Sequence, residues 1–171
     1  MRRLGIWGVM IVVGLIVSYF TVSGKDAVKW NDRVVAHHRS FGTAWSRLQP
    51  HVTTWLQGKP VDAAQLDSAL ARYGKDVAEI AGKMRGETPP DDELCKSMHV
   101  ELVKFADIEE GQLPDIRKLC GDMKGSNPGK PEDLKRAAET IDALGKKEMA
   151  QEAVVKAKQQ AMAAKFKLKM K

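Results

Sequence analysis

The chain has 171 residues, 43% hydrophobic and 29% charged, with two cysteines and a formal charge of +6. Beside a membrane segment that length leaves room for one soluble domain, large enough to bury a core without disulfide or metal staples. The charge is uneven: Arg2 and Arg3 come first, residues 25–152 carry 20 basic against 22 acidic side chains, and six lysines follow Glu152. A near-neutral middle argues against the Lys/Arg stripe of a nucleic-acid-binding face.

After the basic residues 1–3, Leu4 to Val22 is a run of 19 residues without a charge. As a helix it reaches about 28 Å, close to the hydrocarbon thickness of a bilayer. Trp7 and Tyr19-Phe20 lie near its ends, where aromatic rings favour the interface, and Gly14 and Ser18 form a small-xxx-small pair open to another helix. The rival is a cleaved signal peptide ending at Val22-Ser23-Gly24. The run exceeds the about 7–15 residues of such a peptide's apolar core, so an uncleaved anchor at 4–22 is expected. Arg2 and Arg3 favour an inside N-terminus and an exported head, weakened by Lys25, Lys29 and Arg33 on the other flank. The expected location is a bacterial inner membrane with a periplasmic head.

Residues 25–155 read as four helices, in keeping with abundant Ala, Lys, Glu and Leu. Trp30, Val34, His37, Phe41, Ala44, Leu48, His51 and Trp55 alternate steps of four and three, which keeps one stripe facing a neighbour. Pro50 predicts a bend near Ser46 to Pro50, and Gly58-Lys59-Pro60 an end. Asp62 and Gln65 resemble a capping box before a second helix with Leu66, Leu70, Tyr73, Val77, Ile80 and Met84 on its seam. Asp91 or Asp92 caps a third, whose seam starts Cys95, Met98, Leu102, Phe105. Gly111 and Pro114 interrupt it, and the spacing resumes at Leu113, Ile116, Cys120 and Met123, which predicts one kinked helix. Gly121 to Lys130 reads as the longest loop.

Pro131, Glu132 and Asp133 suit the first turn of a fourth helix. It carries Leu134, Ile141 and Leu144, then slips register near Gly145 and continues with Ala150, Val154, Ala157 and Ala161, projecting beyond the bundle. Residues 156–171 read as a lysine-rich tail. Lys165, Lys167, Lys169 and Lys171 suit anionic lipid or an acidic partner; a solvated, frayed helix end is the alternative. Short connections favour an antiparallel up-down-up-down four-helix bundle after one transmembrane helix, an all-α protein.

Cys95 and Cys120 are 25 residues apart. On one continuous helix that is about 37 Å, and at a chain reversal still about 15 Å, so no disulfide between them is expected. His37 and His51 share the first seam, and Cys95 and His99 lie one turn apart, so a His/Cys/His metal site is conceivable. So is a haem held by His and Met84 or Met98. Histidines and cysteines at a bundle edge or core account for the same residues. No C-x-x-C-H occurs, GSNPGK at Gly125 to Lys130 is not a phosphate loop, and no calcium loop follows Asp122. Asp91-Asp92-Glu93 and Glu109-Glu110 read as capping and solvated-face residues. No catalytic constellation is apparent, and no cofactor is expected.

Asn31-Asp32-Arg33-Val34-Val35-Ala36, Phe41, Leu48-Gln49-Pro50 and GKPVDAAQLDSALARY at Gly58 to Tyr73 resemble uncharacterised bacterial secreted and membrane-anchored helical proteins. The resemblance implies a small exported four-helix domain. The residues together suggest a non-catalytic subunit beside a larger integral membrane complex, with a bundle carrying haem, metal or a small ligand as the alternative.

Overall fold

The computed structural model describes residues 16–17, 24–125, 130–166 and 169–170. The fold is all-α. Among the described residues six helices follow one another: α1 (Lys25–Trp45), α2 (Gln49–Leu56), α3 (Ala63–Gly86), α4 (Glu93–Gly111), α5 (Leu113–Gly125) and α6 (Pro131–Lys165). A two-residue antiparallel ladder joins β1 (Ile16–Val17) to β2 (Lys169–Met170). Of the run Leu4 to Val22 the structure describes Ile16 and Val17 alone, and they are extended rather than helical. The rest of that run, with Trp7, Gly14 and Ser18, lies outside the described residues. Among the described residues no helix is long and apolar enough to cross a membrane.

Helices α1 and α2 behave as one rod bent at Ser46–Leu48, where the expected break falls. Pro50 sits in the first turn of α2, where a missing N–H leaves no intrahelical bond unmade. Gly58, with φ at +74°, takes the left-handed conformation that ends the rod. Asp62 caps α3 by accepting from the Gln65 backbone N–H at 2.9 Å. Asp92 caps α4, accepting from Leu94 and Cys95 backbone N–H groups at 3.0 and 3.3 Å.

The third predicted helix divides at Gln112 into α4 and α5. Pro114 has no N–H to offer the carbonyl of Glu110, so the ladder is interrupted there. The expected loop at Gly121 is shorter than the sequence suggests. α5 runs to Gly125 because Met123 is buried and Lys124 pairs with Asp67 of α3 at 2.6 Å.

One apolar cluster joins all six helices. Trp30, Leu48, Trp55, Leu66, Tyr73, Met84, Met98, Leu102 and Met162 are its largest fully buried members. Paired contacts at two heights show antiparallel neighbours: Arg33 with Glu87 and, at the bend after α1, Arg47 with Asp76 set α1 against α3, and Lys158 with Ser97 and Lys165 with Asp92 set α6 against α4. Val28 near the start of α1 meets Ala163 near the end of α6, which closes the ring of helices.

The fourth helix corrects two expectations. Ala150, Val154, Ala157 and Ala161 are exposed, and no register slip occurs. The inward stripe continues from Leu144 through Glu148, Gln151, Val155 and Lys158 to Met162, with polar members hydrogen-bonded to α4 rather than replaced by apolar ones. Gln151 donates to the Glu101 carbonyl oxygen and to Glu101 Oε2, both at 2.9 Å, and Lys158 donates to Ser97 Oγ at 2.8 Å. The head also does not end at 155: Met162 and Ala163 are buried, and Lys165 is ion-paired with Asp92. Instead of projecting, the lysine-rich half of α6 packs along α4.

Candidate functional site

Helix α4 repeats its buried face at Cys95, Met98, Leu102, Phe105 and Glu109, and the same rhythm reaches Gln112 at the break. Two polar side chains therefore enter the core where α4 ends. Glu109 is 6% exposed and Gln112 3%. Tyr73 of α3 enters from one side and Glu148 of α6 from the other, half-buried. Gln112 donates through Nε2 to the Leu144 carbonyl oxygen at 3.3 Å and hydrogen-bonds Glu148. Its Oε1 is buried without a hydrogen-bond partner among the described residues.

Burial, and then the neighbouring Glu148, push the Glu109 carboxyl up to about 8. Burial raises Glu148 to about 6, opposed by its hydrogen bond from Gln112 and assisted by Glu152. Two carboxyl groups close together in a largely buried layer resist double ionisation, so the pair holds a proton between them at neutral pH. Burial and then the negative charges of Glu109 and Glu148 hold the Tyr73 phenol well above its ordinary range. This layer can store one proton inside the bundle. It has corrected an expectation too, since Glu109 reads from the sequence as a solvated-face residue.

A second polar group lies on α1. Asn31 and His38, one heptad apart, are 2% and 4% exposed, and Asn31 Oδ1, His38 Nε2 and Trp30 Nε1 are buried without hydrogen-bond partners among the described residues. The His38 ring packs on Phe105 with centroids 4.5 Å apart. Burial, helped by Arg39, lowers its pKa to about 4, so the imidazole is neutral.

The expected metal candidates do not converge. His37 Nε2 lies 3.1 Å from Glu87 Oε1, and His99 Nε2 lies 3.1 Å from the Met84 carbonyl oxygen. His51 sits beyond the bend, on α2, half-buried. Cys95 is fully buried, and burial raises its thiol to about 11, as it does for Cys120. Among the described residues no three His, Cys, Asp or Glu side chains form a metal-sized group. The bend at Ser46–Leu48 separates His51 from His37, and α3's end captures the other two histidines. Met84 and Met98, the haem candidates, are fully buried in the core cluster. Both cysteines are free thiols.

A surface cavity of about 150 Å³ opens between α2, α5 and α6, lined by Trp55, Asp115, Leu119, Asp133, Arg136 and Thr140. Of the lysines singled out in the tail, Lys165 is paired with Asp92, Lys169 belongs to β2, and Lys167 and Lys171 lie outside the described residues.

No protein-family model, curated protein or solved structure matches this chain. Its function is therefore read from its own residues.

Proposed function

We propose that this protein is a single-pass, membrane-tethered, non-catalytic helical bundle that docks as an accessory subunit on a larger membrane protein complex, with its head in the periplasm. The observation that carries the reading is the uncharged run Leu4 to Val22 ahead of the bundle. Such a run partitions into hydrocarbon as a helix, because only helices and closed barrels satisfy their backbone groups there. In a bilayer the reading requires Ile16 and Val17 to leave the β1–β2 ladder and join that helix.

The head supports a structural role. Its seams are filled by its own Trp, Met, Leu and Phe side chains, and its buried carboxyls face each other rather than a cleft. The resemblance of Trp30 to Tyr73 to bacterial membrane-anchored helical proteins agrees with export.

Two measurements test the reading. Full-length protein is expected to stay with membranes through carbonate washing, whereas a chain lacking residues 1–23 is released. After extraction in mild detergent it is expected to migrate with a larger complex. Full release of the intact chain by carbonate overturns the tether, and migration as a lone monomer under every gentle extraction overturns the docking role.

A further inference from the structure

The end of α4 gathers oxygen atoms from three helices and gives them few hydrogens. Glu109 and Gln112 of α4 meet Tyr73 of α3 there, all three buried, together with the half-buried Glu148 of α6. Glu148 stands close enough to Glu109 for its charge to act there, and both carboxyls act on the Tyr73 phenol. Among the described residues no lysine, arginine or histidine is ion-paired with either carboxyl. The Gln112 amide hydrogen-bonds Glu148. Its Oε1, without a hydrogen-bond partner among the described residues, is therefore held inside the same layer.

A buried acceptor left without a donor is costly and calls for an explanation. One proton on the carboxyl pair answers part of the demand. Shared between the two carboxyls, it leaves the Gln112 oxygen bare. Turned from Glu109 toward Gln112, it leaves the Glu148 charge unanswered, with Glu152 acting against it. A cation is answered by all of these oxygens at once. Carboxylate, amide and phenol oxygens suit a hard ion, and two carboxylates balance two positive charges. Magnesium keeps several waters in an octahedral shell, for which a largely buried layer has little room. Calcium accepts irregular sets of about six to eight oxygens and takes both oxygens of a carboxylate. Two such carboxylates with the amide and phenol oxygens reach the lower end of that range.

We propose that Glu109, Gln112, Glu148 and Tyr73 form a calcium site inside the bundle. The proton that the carboxyl pair holds passes to solvent as the ion enters. Bound there, the ion ties the end of α4 to α3 and α6, just before the break that leads into α5. Its ligands come from three helices far apart in the chain, so no loop motif announces the site in the sequence. The inference goes beyond the docking-subunit reading and does not depend on it.

The test uses the full-length protein in mild detergent, freed of metal with a chelator and titrated with calcium chloride at pH 7.5. Calorimetry is expected to show one saturable site per chain, at least tenfold weaker for magnesium chloride. Saturating calcium is expected to raise the melting temperature. Glu148→Gln keeps the shape of the side chain and removes its charge. It is expected to weaken calcium binding at least tenfold while helical ellipticity is retained. Glu109→Gln is expected to do the same, and it carries the test if Glu148→Gln fails to fold. Asp91→Asn, at an exposed carboxylate outside the layer, is expected to leave the affinity unchanged. The absence of saturable calcium binding overturns the inference and leaves a proton as the occupant of the layer. A preference for magnesium overturns it as well. So does calcium binding that both glutamine variants retain, which places the ion on surface carboxylates. Membrane retention is read separately by carbonate washing, so failure of the tether and failure of this site are told apart.

Discussion

At the residue scale, Glu109 concentrates the cost of placing ionisable groups in a small helical core. Its folded-state value near 8 stands above that of an exposed glutamate, so the folded chain binds a proton that the unfolded chain releases. The stability this contributes is complete below about pH 4.5 and is lost as pH rises through about 8. His38 acts in the opposite sense: lowered to about 4, it contributes stability that is lost as pH falls below the ordinary histidine range toward that value. Glu109→Gln keeps the shape and the neutral form. It is expected to raise stability at pH 8 by about 2 kcal/mol relative to wild type while changing little at pH 5. Urea midpoints at pH 5, 6.5 and 8 check this; parallel pH profiles for the two proteins would show that Glu109 is not the protonated partner. Part of this was legible beforehand. The step from Phe105 to Glu109 continues the seam of α4, so periodicity already places Glu109 inward. Its charge argues for the surface, and the charge misleads because a carboxyl can enter a core by taking up a proton.

At the element scale, α6 shows why an apolar pattern alone does not locate a buried face. Its 35 residues carry two stripes, and the more continuously apolar one in the second half is solvent-exposed. The inward stripe includes Glu148, Gln151 and Lys158, which α4 accommodates with Gln112, Glu101 and Ser97. A buried polar group is tolerated when its hydrogen bonds are made, so complementarity between helices outweighed hydropathy. The two stripes respond differently to truncation. Met162→Ala, at a side chain 1% exposed, is expected to cost about 2–5 kcal/mol. Val154→Ala is expected to stay within about 0.5 kcal/mol. Chemical denaturation of the two variants decides the matter, and a larger loss at Val154 would restore the apolar stripe as the packed one.

At the scale of the whole molecule, one core cluster draws side chains from all six helices. Val28 and Ala163 join the two ends of the ring. Every helix contributes to that large cluster, so unfolding is expected to be a single transition. Trp30 and Trp55 report packing on α1 and α2, while far-UV ellipticity reports helix throughout. The two signals are expected to give the same urea midpoint. Distinct midpoints would mean that the lysine-rich half of α6 melts separately, as a frayed tail would.

The sequence by itself determined the helical class, the bend before Pro50, the cap at Asp62, the Asp91-Asp92 pair as the place of the next cap, and most core residues of α1 to α5. These are local effects, set by periodicity, by missing or satisfied backbone N–H groups and by neighbours within a turn. Only the tertiary structure decided which face of α6 is inside, that α6 packs as far as Lys165, that Glu109 and Glu148 share a layer, and that His37, His51, Cys95 and His99 stay apart. Each of these depends on which helices become neighbours and at what height, and that is fixed by side-chain fit between segments far apart in the chain.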